Sequence, residues 1–145
     1  MKKRFYFTNQ TCDRQLARDI ELKIEDATGL ELENPFYDGD SKEVVELDAG
    51  KPTSITADEI VGMDLRKIRD TSGIVALFTA DRNIGSSMEI AIGSYAWGKP
   101  VYVIATEEHL YSHPWIVYFA TKRFRSAEEF IKFWNKRGKN ELRAA

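Results

Sequence analysis

Two acidic residues, Glu89 and Asp64, stand in sequence surroundings that suit a pair of catalytic carboxyl groups. Glu89 lies in the first turn of a helix predicted to start near Ser86, where free backbone N–H groups favour an ionised, nucleophilic carboxylate. Asp64 lies four residues from both Ile60 and Ile68, on or beside the apolar face of another predicted helix. Burial favours the neutral form of an acid, which can donate a proton. One ionised carboxylate and one proton donor are the minimum needed to break a glycosidic bond.

Both acids also have a plain structural explanation. Glu89 could serve only to stabilise the helix dipole, and Asp64 could reach solvent or a backbone group from the edge of its apolar stripe. Around the predicted start of the Glu89 helix, a glycine permits close backbone approach, and amide and hydroxyl side chains can donate hydrogen bonds to a ligand. These candidate binding residues are Asn83, Gly85, Ser86 and Ser87.

The elements that must position these residues alternate between strand and helix patterns. Strands are predicted at 4–8, 30–33, 73–79 and 101–105, and helices at 13–27, 56–70, 86–97, 114–121 and from 126 onward. The first helix is expected to bury the stripe Leu16, Ile20, Ile24 and Ala27, whereas 122–125 is interpreted as a solvated connector. This order predicts an α/β fold, a three-layer α/β/α sandwich with a parallel sheet of about five strands. Ligands of such sheets bind beyond the carboxyl ends of the strands, where the candidate residues lie.

The composition of the chain argues against several classes of partner and cofactor. The 145 residues predict a single domain, and 21 basic against 23 acidic side chains give a net charge of −2, which argues against nucleic-acid polymers as partners. One cysteine and two histidines cannot assemble a zinc-type ligand cluster, so no metal is expected. The amino terminus lacks the apolar length of a signal peptide or a membrane span. The sequence therefore predicts a cytoplasmic protein without a membrane partner.

Several short sequence motifs, taken together, resemble those of the nucleoside 2-deoxyribosyltransferase family, which includes related N-glycoside hydrolases. They are Asp64-Leu65, Gly-Ser-Ser-Met-Glu-Ile-Ala at 85–91 and Gly-Lys-Pro-Val at 98–101. Weaker matches at Tyr6-Phe7 and at 32–34 extend the resemblance over most of residues 4–105. The resemblance implies a flavodoxin-like fold and an enzyme that transfers a pentosyl group without a cofactor.

The resemblance also implies a role for individual positions. Glu89 matches the nucleophile that holds the sugar as a covalent ester, and Asp64 matches the acid that assists the departing base. Tyr6 matches an aromatic hydroxyl near the nucleophile, although a strand tyrosine could equally be a core residue. The family forms homo-oligomers in which a neighbouring subunit completes the active site. Candidate interface residues are Trp97, Tyr118 and Phe119, although burial in the core of the monomer would explain them equally well.

One residue departs from the family pattern, and other features leave the choice between possible substrates open. Asn83 stands where the transferases have an aspartate and the nucleotide hydrolases a serine, and an amide can bind either a hydroxyl or a phosphate. The hydrolase relatives that accept monophosphates carry a glycine-rich turn after the first strand, whereas the turn at 8–12 contains no glycine. The resemblance therefore favours an unphosphorylated nucleoside, although Ser86, Ser87 and Arg82 could still bind a phosphate. Phe36 and Tyr37 could stack on a nucleobase or anchor their loop on the core.

The expected function is therefore a nucleoside 2-deoxyribosyltransferase that passes deoxyribose from one nucleobase to another. Two alternatives remain: a 2′-deoxynucleoside or 5′-monophosphate N-glycosidase that transfers to water, and a binding or sensor module without turnover.

Overall fold

The computed structural model describes residues 2–9, 14–34, 56–79 and 83–144, with side chains as far as residue 139. Within these ranges five parallel strands form one sheet in the order β2-β1-β3-β4-β5. The strands are β1 Arg4–Thr8, β2 Glu31–Glu33, β3 Ile74–Phe78, β4 Val101–Ala105 and β5 Lys122–Phe124. The helices are α1 Arg14–Thr28, α2 Ala57–Asp70, α3 Ile84–Ala91, α4 Glu108–Tyr111, α5 Pro114–Phe119 and α6 Ala127–Ala144. A π-helical turn, Ile92–Ala96, follows α3 directly.

The helices cover both faces of the sheet and make the fold a three-layer α/β/α sandwich of the flavodoxin-like type, as the sequence predicted. Alternate strand residues face opposite sides. Phe5 and Phe7 of β1 pack in the core beneath α1 and α6, whereas Tyr6 packs with Ile68 of α2 and Ile90 of α3. The side chain of Thr8, two residues after Tyr6, therefore lies on the face that α2 and α3 cover.

Local sequence signals mark the start of α2 and the end of α1. The Thr56 hydroxyl caps α2 by accepting a 3.2 Å hydrogen bond from the backbone N–H of Glu59. Gly29 adopts a positive φ of 74° immediately after α1, a conformation that favours glycine. The continuous apolar run of β3 is buried at every position. Within the described ranges, none of the helices combines the length and apolar content that crossing a bilayer requires.

The interpretation of residues 122–125 as a solvated connector is wrong, because Lys122–Phe124 forms edge strand β5. Phe124 is buried, with its ring centroid 5.3 Å from that of Phe130. The Lys122 ammonium lies 5.3 Å from the Phe133 ring, and the Arg123 guanidinium lies 4.4 Å from the Tyr111 ring. These cations cover aromatic surface, and charged side chains on an edge strand also discourage pairing with another chain.

The predicted inward stripe of α1 is also partly wrong. The buried residues of α1 are Ala17, Glu21 and Ile24, whereas Leu16 is half exposed. A glutamate occupies the centre of the buried face, so a search for apolar periodicity places that face about one residue away from its true position.

Gly73, just before β3, has no room for a side chain. A Cβ atom there would lie 2.4 Å from Cε1 of Phe5 and 2.7 Å from the carbonyl oxygen of Pro100. We expect Gly73→Ala to lower the free energy of unfolding by about 1–3 kcal/mol, because a buried ring and the backbone must both shift. Gly138→Ala in α6 is the matched control: its Cβ would meet nothing within 4 Å, and alanine favours a helix by up to about 1 kcal/mol. Urea unfolding compares the two variants, and wild-type stability of Gly73→Ala would contradict the clash.

Candidate active site

Glu89 of α3 lies against the carboxyl end of β1. The Thr8 hydroxyl donates a 3.0 Å hydrogen bond to Oε1 of Glu89, and the hydroxyl oxygens of Thr8 and Ser86 are 2.7 Å apart. Since Thr8 has one hydroxyl proton and gives it to Glu89, Ser86 must be the donor to Thr8. Thr8 and Ser86 are both buried. Two hydroxyl groups in series therefore hold one carboxylate oxygen of Glu89.

The second carboxylate oxygen of Glu89 has different surroundings. Oε2 is shielded from solvent, and within the described residues it meets no hydrogen-bond partner. Glu89 as a residue is only partly buried against the described part of the chain. A buried oxygen without a partner is costly in a folded protein and is often found where a ligand atom binds.

Burial, assisted by the nearby charge of Asp64, raises the pKa of Glu89 from 4.5 to about 8. Hydrogen bonds from Tyr6 and Thr8 act in the opposite direction and lower it. The expectation that the start of the helix keeps Glu89 ionised is therefore wrong. The helix begins at Ile84 instead of Ser86, so Glu89 lies beyond the first turn, where free N–H groups no longer offset the cost of burial.

Asp64 lies on α2 on the same side of the sheet. Its side chain is half-buried with Oδ1 shielded from solvent, and its charge acts on Glu89. The C-terminal end of α2 is tied to the strand layer by Lys99, whose ammonium donates to the carbonyl oxygens of Arg69 and Thr71. The acidic side chains of two different helices thus influence each other at the edge of the sheet where the strands have their C-terminal ends.

Tyr6 is almost fully buried and packs in the core that α2 and α3 cover, while its hydroxyl also bonds to Glu89. The Tyr6 side chain thus combines the two features that the sequence left as alternatives, core packing and a hydroxyl beside Glu89. The aromatic ring belongs to the core, and the phenol group belongs to the site.

The predicted binding residues at the start of α3 fall into two groups. Ser86 joins the hydroxyl chain to Glu89, and a Cβ atom placed on Gly85 would lie 3.8 Å from Oε1 of Glu89. Gly85 thus lies directly beside the Glu89 carboxyl group. Asn83 and Ser87 bond to each other, with the Ser87 hydroxyl donating to Oδ1 of Asn83 at 2.7 Å.

Asn83 and Ser87 line a separate cavity of about 440 Å³ between α3 and the segment that contains α4 and α5. Its other lining residues include His109, His113 and Trp115, but not Glu89. Phe36 and Tyr37, the candidate base-stacking residues, lie outside the described residues. No grouping of three or more histidine, cysteine or acidic side chains suited to a metal ion occurs in the ranges that the structure describes.

Thr8 is the functional candidate that sequence reasoning missed. It ends β1 two residues after Tyr6, and the period of two in a strand places both side chains on one face. That spacing was the available signal.

Thr8→Val tests the hydroxyl chain because valine keeps the shape of threonine but cannot donate. A hydrogen bond to a charged group contributes about 1.5–3 kcal/mol, so its loss should raise the pKa of Glu89 above its present value by roughly 1. Thr8→Ser keeps the hydroxyl and should leave that pKa near about 8. Carboxyl ¹³C NMR of selectively labelled glutamate measures both, and an identical titration of Glu89 in Thr8→Val would contradict the assigned hydrogen bond.

Searches against models of known protein families and against curated proteins find no match for this chain. Solved structures do match. A conserved protein from Enterococcus faecalis V583 superposes with a TM-score of 0.70 at 16% identity, over 94% of this chain and 99% of the other. A 2-deoxyribosyltransferase from Bacillus psychrosaccharolyticus superposes with a TM-score of 0.62 at 12% identity, over 88% and 90% of the two chains.

A CheY-like response regulator receiver domain from Methanospirillum hungatei JF-1 matches over the whole of both chains, with a TM-score of 0.55 and 13% identity. A receiver domain and a glycosyl-transferring enzyme share this architecture, so the fold by itself does not select a reaction. At these identities the likeness shows a common fold, and the chemistry has to be argued from the side chains.

Proposed function

We propose that this protein is a nucleoside 2-deoxyribosyltransferase, which cleaves the N-glycosidic bond of a 2′-deoxynucleoside and passes the sugar to another nucleobase. The observation that carries this proposal is the Glu89 carboxyl group. One of its oxygens is held by Thr8, and the other is shielded and meets no partner within the described residues, with a second acid, Asp64, nearby. The matching fold of a 2-deoxyribosyltransferase supports the proposal.

In the first step Oε2 of Glu89 attacks the anomeric carbon of the sugar as the bond from that carbon to the base nitrogen breaks. The electron pair of the broken bond stays on the base nitrogen, which takes a proton from Asp64. Thr8 and Tyr6 keep the carboxylate in position through its hydrogen bonds. The result is a free base and a deoxyribosyl ester of Glu89.

In the second step a nitrogen of the acceptor base attacks the same carbon and Glu89 departs as a carboxylate. The acceptor proton returns to Asp64, so the enzyme ends the cycle as it began. With a pKa of about 8, Glu89 is mostly protonated at pH 7. The proton that it holds must leave before the attack, and Asp64 is the neighbouring group that could accept it and pass it to the base.

The proposed enzyme is a homo-oligomer in which a second copy covers the face formed by α3 and α5. These helices pack together and expose large apolar side chains, with Ile84 72%, Trp115 69% and Tyr118 73% exposed. Large apolar side chains exposed on neighbouring helices are typical of a surface that a second protein covers. Of the three interface residues named from the sequence, Tyr118 and Trp97 are exposed, whereas Phe119 is partly buried. Sedimentation at assay concentration tests this arrangement, and a monomer there would contradict it.

The decisive experiment incubates the protein with a panel of 2′-deoxynucleosides and their 5′-monophosphates, with and without a second free base. Chromatography then follows the released base and any new nucleoside, with Glu89→Gln as the inactive control. A new nucleoside that appears only with the acceptor supports the transferase. Free base together with deoxyribose or its phosphate means a hydrolase, and no product across the panel means a binding module.

A further inference from the structure

A second buried carboxylate lies on the opposite face of the sheet from Glu89. Glu21 of α1 is completely shielded from solvent. Nη1 of Arg18 donates to its Oε1 at 2.8 Å, and Nδ2 of Asn34 donates to its Oε2 at 2.7 Å. Both oxygens of Glu21 are therefore held, one from its own helix and one from the residue that follows β2.

Asn34 extends this contact to the neighbouring strand. Its side-chain amide also donates to Oδ1 of Asn9 at 3.4 Å, and both Asn34 and Asn9 are buried. An amide nitrogen has two hydrogens, and here both point at oxygen acceptors, which fixes the orientation of the Asn34 side chain. Glu21 thus connects α1 to the carboxyl ends of β2 and β1 through one asparagine.

The end of β1 is held from both faces of the sheet. Consecutive residues at a strand end point to opposite sides, and here Thr8 reaches Glu89 whereas Asn9 meets the Asn34 amide. A displacement of Asn9 would move the backbone that carries Thr8. The contacts of Glu21 are therefore coupled through two adjacent residues to the hydrogen bond on Glu89.

Burying Glu21 is costly. Burial raises its pKa to about 7, while hydrogen bonds from Asn34 and Arg18 and the charge of Arg18 lower it, and the charge of Glu25 raises it. Apolar residues often replace such buried charges without loss of stability. Stability alone therefore gives little reason for a glutamate here, whereas its two acceptor oxygens suit the task of orienting Asn34 and Arg18.

We propose that Glu21 is a positioning residue that holds the end of β1 so that Thr8 keeps its hydrogen bond to Glu89. Glu21 does not touch the substrate. Its effect on turnover rests on the proposed function, but its effect on Glu89 does not, so the two can be tested separately.

The test uses Glu21→Gln, which keeps the size of the side chain but replaces one acceptor oxygen with a donor. Asn9→Ala is the second variant, because it cuts the link to β1 while leaving the contacts of Glu21 in place, and it decides the question if Glu21→Gln does not fold. Asp26→Asn is the matched control, since it removes one negative charge from an exposed position on the same helix.

The first measurement is the titration of Glu89 by carboxyl ¹³C NMR, which needs no substrate. We expect Glu21→Gln and Asn9→Ala to raise the pKa of Glu89 by about 0.5 or more, in the same direction as Thr8→Val, while Asp26→Asn leaves it unchanged. An unchanged titration of Glu89 in a folded Glu21→Gln or Asn9→Ala variant would overturn the proposal.

The second measurement is turnover with a nucleoside that the wild type accepts. We expect kcat to fall about fivefold or more in both variants with KM little changed, because the nucleophile is misplaced while the binding residues are intact. A purely structural role would lower thermal stability and leave kcat unchanged below the melting temperature. Absence of turnover in the wild type would refute the proposed function, and the NMR titration would still decide the role of Glu21.

Discussion

Replacing Glu89 with alanine or glutamine is expected to stop formation of the glycosyl ester and to lower turnover by about three orders of magnitude or more. Neither side chain can attack the anomeric carbon, and the hydroxyl groups of Thr8 and Ser86 would lose the carboxylate that they hold. Steady-state assays measure the loss. Intact-protein mass spectrometry of acid-quenched reactions should show a deoxyribosyl adduct on the wild type and none on either variant.

An unaffected rate in Glu89→Ala would rule out the double-displacement mechanism. Thr8→Ser is the matched control at this site, because it keeps the hydroxyl donor and should retain most of the activity. Retained adduct formation in Glu89→Gln would place the nucleophile on a different residue.

Asp64→Asn should give a different kinetic result from the Glu89 variants. An amide cannot protonate the departing base, so release of the base should slow by about 10²–10⁴-fold, while substrate binding changes less. The defect should be smallest for bases that leave readily without a proton. An equal defect for all bases would indicate that Asp64 acts on the sugar or on Glu89 rather than on the leaving group.

Much of the fold could be predicted because its signals are local. The apolar run of β3, the Thr56 cap and the glycine after α1 each act within a few residues, and the structure has all three. Strand β5 could not be recognised in the same way. It has only three residues, two of them cations, and it is stabilised by aromatic rings of α4 and α6 that are distant in the sequence.

The candidate site could be predicted in its residue types but not in its electrostatics. Glu89 and Asp64 stood out by their positions, yet the charge state of Glu89 depends on burial by segments far away along the chain. The bond between Thr8 and Ser86 joins residues 78 positions apart. The burial of Glu21 could not be predicted for a related reason. A charged residue on the buried face of α1 interrupts the apolar pattern from which that face is recognised.

Replacing Glu89 with glutamine is also expected to raise the free energy of unfolding, by an amount that grows with pH. The pKa of Glu89 rises from an ordinary 4.5 to about 8 in the folded protein. Between these values the native state binds more protons than the unfolded state, so the free energy of unfolding of the wild type falls as the pH rises. Glutamine does not titrate, so the free energy of unfolding of Glu89→Gln does not fall with pH for this reason. Glu21 contributes with the same sign between pH 4.5 and about 7, but it is present in both proteins and cancels in the comparison.

Glu89→Gln should therefore match the wild type near pH 4 and exceed it by about 4–5 kcal/mol near pH 9, where the buried carboxylate of the wild type is mostly charged. Urea unfolding at a series of pH values measures the difference, and Asp26→Asn should show a flat difference because that carboxyl group is exposed. In the proposed mechanism the pair of Glu89 and Asp64 must hold one proton for the departing base, so kcat/KM of the wild type should be level below about pH 8 and fall above it. A stability difference that is independent of pH would mean that Glu89 is already ionised in the folded protein, and the proton transfer from Glu89 to Asp64 would then have no part in the reaction.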